Sequence, residues 1–186
     1  TVAFDLFAMV CDDAVVRGGE PVLMGSVLDV NTLGSKENPY TDFVKQLAAG
    51  YINAAREARV AVINGEIAEL GARVSGYGSF NYNWSAGVVW FGHRNRLLTG
   101  KGIRPGDKLV ALREYGFRSN GLSLFRKAMK SAHNDEWHNI EYNGKSLAEL
   151  GLQPSKIYAA AAVDMFGGYN SMPSAEVHGI AHITGG

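Results

Sequence analysis

The sequence predicts an α/β (α+β) protein made of two units. Runs of helical period alternate with apolar, β-branched runs, and glycine occurs 23 times in 186 residues, which suits many turns and close backbone approaches. Residues 100–107, GKGIRPGD, carry the turn chemistry of a connector. The boundary is therefore placed there, giving units at residues 1–103 and 104–186.

Phe4, Phe7, Ala8, Cys11 and Val15 recur at helical spacing, so the chain opens on a helix, which Gly18 and Gly19 stop. Residues 21–30, PVLMGSVLDV, read as a strand apolar enough to be mostly buried. Thr41 and Asp42 are suited to cap a long helix with a face of Phe43, Leu47, Tyr51 and Ala55, widened by Val44, Ala48 and Ile52. Residues 59–63 form a second strand that runs into an Asn64-Gly65 turn. Residues 71–81, rich in glycine, serine and aromatic side chains, read as a mobile loop, and residues 84–91 as a third strand. Past the connector, residues 108–113 (KLVALR) read as a strand, 116–121 as a tight glycine turn and 122–132 as a helix.

Composition narrows the function classes. Hydrophobic residues make up 46% and charged residues 19%, ordinary for a globular protein able to bury a substantial core. Eighteen basic and eighteen acidic side chains cancel, so neither nucleic acid nor a membrane surface is expected as a partner. A single cysteine, Cys11, cannot form an intrachain disulfide, and a cytoplasmic setting is the simplest expectation. No apolar run approaches the roughly 20 residues that span a bilayer, and the first residues lack the basic stretch of a signal peptide.

The strongest chemical signal is residues 116–127, GFRSNGLSLFRK. A strand, a glycine turn and a helix leave free backbone N–H groups at the helix start, framed here by Ser119, Asn120 and Gly121 with Arg118 alongside. Those groups, the helix dipole and a guanidinium suit an anion, most naturally a phosphate. Ser and Asn are also the usual helix caps, so a capped helix beside a solvated arginine is the other reading. Asp12 and Asp13 lie on the first helix about 100° apart, fit for solvent exposure or for a cation. Glu66 follows a strand and an Asn-Gly pair, where α/β proteins place ligands, or else it is a solvated turn residue. Glu69 can be a charge at a helix start. His178 and His182, four apart, lack a convincing third ligand for zinc.

Taken in order, five segments resemble one family. They are AMVCDDAVVRGGEP at 8–21, GEIAEL at 65–70, RPGD at 104–107, SNGLSLFRK at 119–127 and AHITGG at 181–186. They are similar to the phosphoribosylformylglycinamidine cyclo-ligases, or aminoimidazole ribonucleotide (AIR) synthetases, whose segments read like AMCVNDLLVQGAEP, GGETAEM, GDVLI, HSNGYSLVRK and AHITGGG. The resemblance implies an AIR-synthase-like N-terminal sheet-and-helix domain that pairs in a homodimer, then the start of a larger α+β domain. It implies ATP-dependent ring closure of formylglycinamidine ribonucleotide, with ATP and Mg2+ as cofactors and a small ribonucleotide as substrate. In that reaction ATP phosphorylates the formyl oxygen, and the substrate's own nitrogen then displaces phosphate. Carried over by position, the catalytic candidates are Arg118, Ser119, Asn120 and His182. The ATP-binding candidates are Asp12, Asn64, Gly65, Glu66, Gly121, Thr184 and Gly185, and the metal candidates are Asp13 and Glu66.

Departures from the pattern qualify this. Asp12 stands for the usual asparagine, Asn64 for glycine, Ile67 for threonine and Arg118 for histidine, and Asn83 falls near a usual aspartate. Arginine cannot serve as a proton-transfer base, although it can neutralise phosphate. A noncatalytic nucleotide-binding relative is thus the alternative, as is another ATP-using member of the superfamily: selenophosphate synthetase, thiamine-monophosphate kinase or the hydrogenase-maturation type. The family also carries a GTDG-like segment upstream and a continuation downstream, so the chain is expected to be a fragment.

Overall fold

In the computed structural model, which describes residues 1–183, one long strand organises the sheet. Strand β1 (Glu20–Val30) pairs antiparallel along its length with β4 (Tyr82–Phe91). It pairs in parallel with β2 (Ala61–Val62) and β3 (Glu66–Glu69). Because β4 occupies one edge of β1 throughout, β2 and β3 share the other. Met24, Ser26, Leu28 and Val30 are buried, whereas Val27 is 38% exposed. Val27 is the one exposed residue of β1; side chains alternate across a strand, so the fully buried ones fall mostly on the face that the helices cover.

The segment expected to be a strand followed by an Asn-Gly turn is instead one interrupted edge. Arg59, with φ 57°, still caps the preceding helix, which shortens the strand to Ala61–Val62. Between the two pairings the register slips by one residue. Asn64 fills the gap: Ser26 N–H donates to its Oδ1 at 2.8 Å, and its Nδ2 donates to the Ser26 carbonyl at 3.0 Å. The side-chain amide thus replaces the missing ladder bonds of β1. Glu69 ends β3 rather than starting a helix, and its carboxylate accepts the Leu33 N–H at 2.9 Å.

Two helices lie on the covered face. Helix α1 (Ala3–Val15) buries Phe7, Ala8, Cys11 and Val15 as its spacing predicts. Its end is fixed at Gly18, where φ is 74° and a Cβ would stand 2.9 Å from the Arg96 carbonyl. Helix α2 (Thr41–Ala58) buries Leu47, Tyr51, Ala54, Ala55 and Ala58. Phe43 and Ile52 stay half-exposed because they flank that stripe, and no side chain caps the helix, so Thr41 and Asp42 lie within its first turn. Tyr51 stacks on Trp84 at 5.4 Å, and the Trp84 indole donates to Ser26 Oγ at 3.2 Å. The loop after β3 contains a 3-10 turn at Gly71–Arg73 and is tied down by Asn31, whose side chain bonds Ser79 and Asn81.

Beyond residue 104 the chain first forms a small group of elements and then returns to this core. Residues 108–113 form no strand, since among the described residues no neighbouring strand is there to pair with them, and Leu109 and Val110 are exposed. Helix α3 (Leu122–His133) follows, with Phe125 packed on Phe117 and Trp137. A short hairpin, β5 (Glu141–Tyr142) and β6 (Lys145–Ser146), turns at Asn143-Gly144, both at positive φ. Helix α4 (Leu147–Gly151) starts on a Ser146–Glu149 capping box. Helix α5 (Ala159–Phe166) then returns to the first core, burying Ala159, Ala162 and Phe166 with Phe7, Cys11 and Ala58. The main core thus includes residues from both sides of residue 104. Among the described residues no helix is long and apolar enough to cross a membrane.

The bridging role of Asn64 is open to measurement. Asn64→Ala leaves the Ser26 N–H and carbonyl without their partners, an expected loss of about 1–3 kcal/mol. Denaturant melts would detect it, and a change within about 0.5 kcal/mol of zero, typical of an inert surface site, would refute the role.

Candidate functional site

Adjacent aspartates on α1 hold the centre of the site. Neighbouring helical residues diverge by about 100°, so Asp12 turns inward, 3% exposed, while the side chain of Asp13 remains 68% exposed. Asp12 accepts the Tyr158 N–H at 3.0 Å and the Arg118 guanidinium at 2.7 Å. Arg118 also donates through Nη1 to Glu114 at 2.7 Å and to the Lys156 carbonyl at 3.0 Å, and it lies over the Tyr158 ring. Its backbone sits at φ 56°, a left-handed position that a residue with a Cβ holds only when its surroundings fix it. His182 completes the cluster, with Nδ1 at 2.7 Å from Asp13 Oδ1 and Nε2 at 3.1 Å from Arg118 Nη2.

Burial and pairing compete within this cluster. Burial pushes the Asp12 carboxyl up from its ordinary range, and Arg118 and the Tyr158 N–H pull it partly back. Burial also opposes the charge on Arg118, yet the bonds to Asp12 and Glu114 prevail and hold it protonated more firmly than usual. Glu114 likewise resists burial and is lowered by the N–H groups of Tyr115 and Lys156 and by Arg118. Two carboxylates, Asp12 and Glu114, bind the one guanidinium and a third, Asp13, is held by His182, so the cluster favours a cation, or a ligand that brings one, over a bare anion. Cys11, next door in the core, has its thiol pushed up to about 12 by burial and by Asp12, which leaves it an inert packing residue.

The strand–turn–helix expectation needs correction at two points. No strand precedes the turn, and α3 has no side-chain cap, because Gly121 occupies the cap position at φ 81°. Ser119 instead donates to the Asp5 carbonyl at 2.8 Å and pins the turn to the start of α1, where Ser155 also bonds the Asp5 carboxylate at 2.6 Å. Asn120 is exposed beside it. A Cβ placed on Gly121 would meet nothing within 4 Å, so the helix start stands open.

The remaining candidates fall elsewhere. Asn64 is committed to Ser26, with Gly65 beside it on the sheet edge. Glu66 pairs in register with Val27, and so lies on the sheet face away from α1 and Asp13. No contact joins Asp13 to Glu66, and among the described residues no group of three or more His, Cys, Asp or Glu gathers as a metal site. Thr184 and Gly185 lie outside the described residues. His178 is held between Asp107 and Glu176, at 2.7 and 2.9 Å, and those bonds raise its pKa above the ordinary 6.5.

Sequence reasoning missed Asp5, Glu114, Ser155 and Tyr158. Tyr158 lies 146 positions from its partner Asp12, beyond the reach of any local pattern. A cleft of about 570 Å3, lined in part by Leu97, Leu98, Phe166, Pro173 and Val177, includes His178 but none of the catalytic, ATP-binding or metal candidates. Its charged groups are bound to protein partners, Arg96 to the Ser171 carbonyl and Glu176 to His178. The candidate site is therefore the Asp12–Arg118 cluster rather than this cleft.

Residues 1–89 match the family profile described as AIR synthase related protein, N-terminal domain. Across all 186 residues the chain is 33% identical to the phosphoribosylformylglycinamidine cyclo-ligase of Pyrococcus horikoshii and covers 50% of that relative. It is 34% identical, again over 50% of the relative, to the enzyme of the same name from Thermococcus kodakarensis. The chain thus spans about half the length of the curated relatives it matches. Among solved structures, "AaThiL complexed with AMPPCP and TMP" is 17% identical with a TM-score of 0.48, over 89% of this chain and 46% of that one. The hydrogenase maturation protein HypE in complex with ATP is 17% identical with a TM-score of 0.43, over 56% of this chain and 29% of that one.

The buried ion pair makes a non-additive forecast. Arg118→Met strands the Asp12 carboxylate and is expected to cost about 3–5 kcal/mol in denaturant melts. Adding Asp12→Asn removes the stranded charge and should recover most of the loss. Simple additivity of the two changes would show that the residues act independently.

Proposed function

We propose, from the match of residues 1–89 to the AIR synthase related N-terminal domain and the likeness of the whole chain to cyclo-ligases, that the cluster on α1 takes part in binding ATP with its magnesium. The reaction proposed for the whole protein is ring closure of formylglycinamidine ribonucleotide to aminoimidazole ribonucleotide, within purine biosynthesis. The observation that carries the reading is that Asp12, Asp13, Arg118 and His182, drawn from three distant segments, meet in one cluster. The open start of α3 stands next to it and presents N–H groups suited to a phosphate.

Each residue has a distinct part in this reading. Arg118 is turned toward Asp12, Glu114 and Lys156, so it holds the turn in place and offsets part of the local negative charge. Ser119 fixes the same turn to Asp5. Asp13 keeps an exposed carboxylate, the oxygen donor that a phosphate-bound magnesium ion would accept; such an ion needs one or two carboxylates besides phosphate and water. Glu66, on the other sheet face, is not part of this site. Magnesium would neutralise the transferring phosphoryl group, and the protein residues supply position and charge. The engagement of Arg118 with protein acceptors also favours a second reading, a noncatalytic relative that binds nucleotide without turnover.

We further propose a homodimer formed through the uncovered sheet face. On that face the Val27–Ser85, Gly25–Gly87 and Leu23–Val89 pairs follow one another, the glycines leaving the surface low, and Val89 is 50% exposed. Sedimentation at micromolar concentration is expected to give a dimer, and a well-behaved monomer would exclude that assembly.

Calorimetric titration with ATP and magnesium tests the site. Asp13→Asn should weaken binding roughly ten- to a hundred-fold, the value of a lost bond to a charged group. Its stability should shift by no more than about 0.5 kcal/mol, because the side chain is exposed. Unchanged affinity, or equal loss of affinity and stability, would remove Asp13 from the site. Ring-closure turnover alongside these titrations separates the enzyme from the noncatalytic reading.

A further inference from the structure

We infer that Arg118 is a positioning residue that fixes the protonation pattern of the His182 ring and, through it, the orientation of Asp13. A guanidinium has only donors and keeps its proton at any physiological pH. Its Nη2 faces His182 Nε2 at 3.1 Å, so that nitrogen must accept. A neutral imidazole carries one N–H, which therefore sits on Nδ1 and donates to Asp13 Oδ1 at 2.7 Å. Free histidine side chains prefer the proton on Nε2, so the arrangement reverses the ordinary preference.

The connections close on themselves. Asp12 holds Arg118, Arg118 holds His182, and His182 holds Asp13, the neighbour of Asp12 on the same helix. Arg118 cannot swing away without breaking its bonds to Asp12, Glu114 and the Lys156 carbonyl. His182 is well shielded, with an 11% exposed side chain, whereas Asp13 is open. Two consequences follow. The Nε2 lone pair is occupied by Arg118, so His182 does not act as a general base there. Its N–H instead fixes one Asp13 oxygen and leaves the other facing solvent. That second consequence rests on the nucleotide reading above, but the tautomer itself does not.

Nitrogen-15 NMR of the histidine rings in the ligand-free protein tests the inference, with His182→Gln used to assign the signals. The wild-type protein should show His182 protonated at Nδ1 and unprotonated at Nε2. Asp12→Asn combined with Arg118→Met removes the buried Asp12–Arg118 pair together, Glu114 keeping its bonds from the Tyr115 and Lys156 N–H groups, and its amide spectrum verifies the fold. In that variant the proton should move to Nε2. Arg118→Lys, which keeps a charged donor, should retain the wild-type pattern. A proton on Nε2 in the wild type, or an unmoved proton in the double variant, would overturn the positioning role. Titration of the double variant with ATP and magnesium should show an affinity reduced toward that of Asp13→Asn, and wild-type affinity would refute the link to Asp13. Absence of binding by the wild-type protein would instead defeat the nucleotide reading, with the ring signals still reporting on Arg118.

Discussion

A carboxylate buried on α1 sets the terms for the second half of the chain. Asp12 lies within the core face of its helix, where an unpaired charge would be costly. It is answered by the Arg118 guanidinium and the Tyr158 N–H, from segments far along the sequence. Those two bonds draw the 114–121 turn and the start of α5 onto α1. The apolar face of α5 then completes the core with Ala159, Ala162 and Phe166. A buried ion pair contributes little net stability compared with an apolar pair of similar shape, but its geometry is demanding. Here that demand places the candidate site.

The pair also relates two departures that look independent in the sequence. The resembled family pattern has asparagine at position 12 and histidine at position 118, and this chain has aspartate and arginine. Aspartate at position 12 without Arg118 would bury a charge with no counterion beside it, and Arg118 without Asp12 would keep only Glu114. Together they form a contact of 2.7 Å, with both side chains nearly inaccessible. The histidine chemistry expected at position 118 is absent, and His182 is the imidazole in contact with the cluster.

A similar substitution of one group for another occurs at the sheet edge. Parallel pairing of β1 with residues 61–69 is broken by one extra residue, and the Asn64 amide supplies the donor and acceptor that the backbone cannot. The sequence shows an Asn-Gly pair there and invites a turn. Only the strand alongside reveals that the pair interrupts a ladder, because a side-chain amide can imitate a peptide group in either setting.

Local periodicity was enough to locate α1, β1, α2, β4 and α3, since helix and strand repeats are properties of neighbouring residues. Ordered motifs were enough to indicate the family and to nominate Asp12, Asp13, Arg118 and His182. Periodicity could not say that β1 is covered on one face only, that residues 108–113 lack a strand partner, or that Glu66 faces away from Asp13. Each of these depends on what lies beside a segment rather than within it. Nor could it supply Glu114, Ser155 and Tyr158, which carry no motif and matter only through contact. Residue types and their order determined which chemistry is available to this chain. Tertiary packing decided which groups are spent on one another and which remain open, because hydrogen bonding and burial depend on distances that the sequence does not contain.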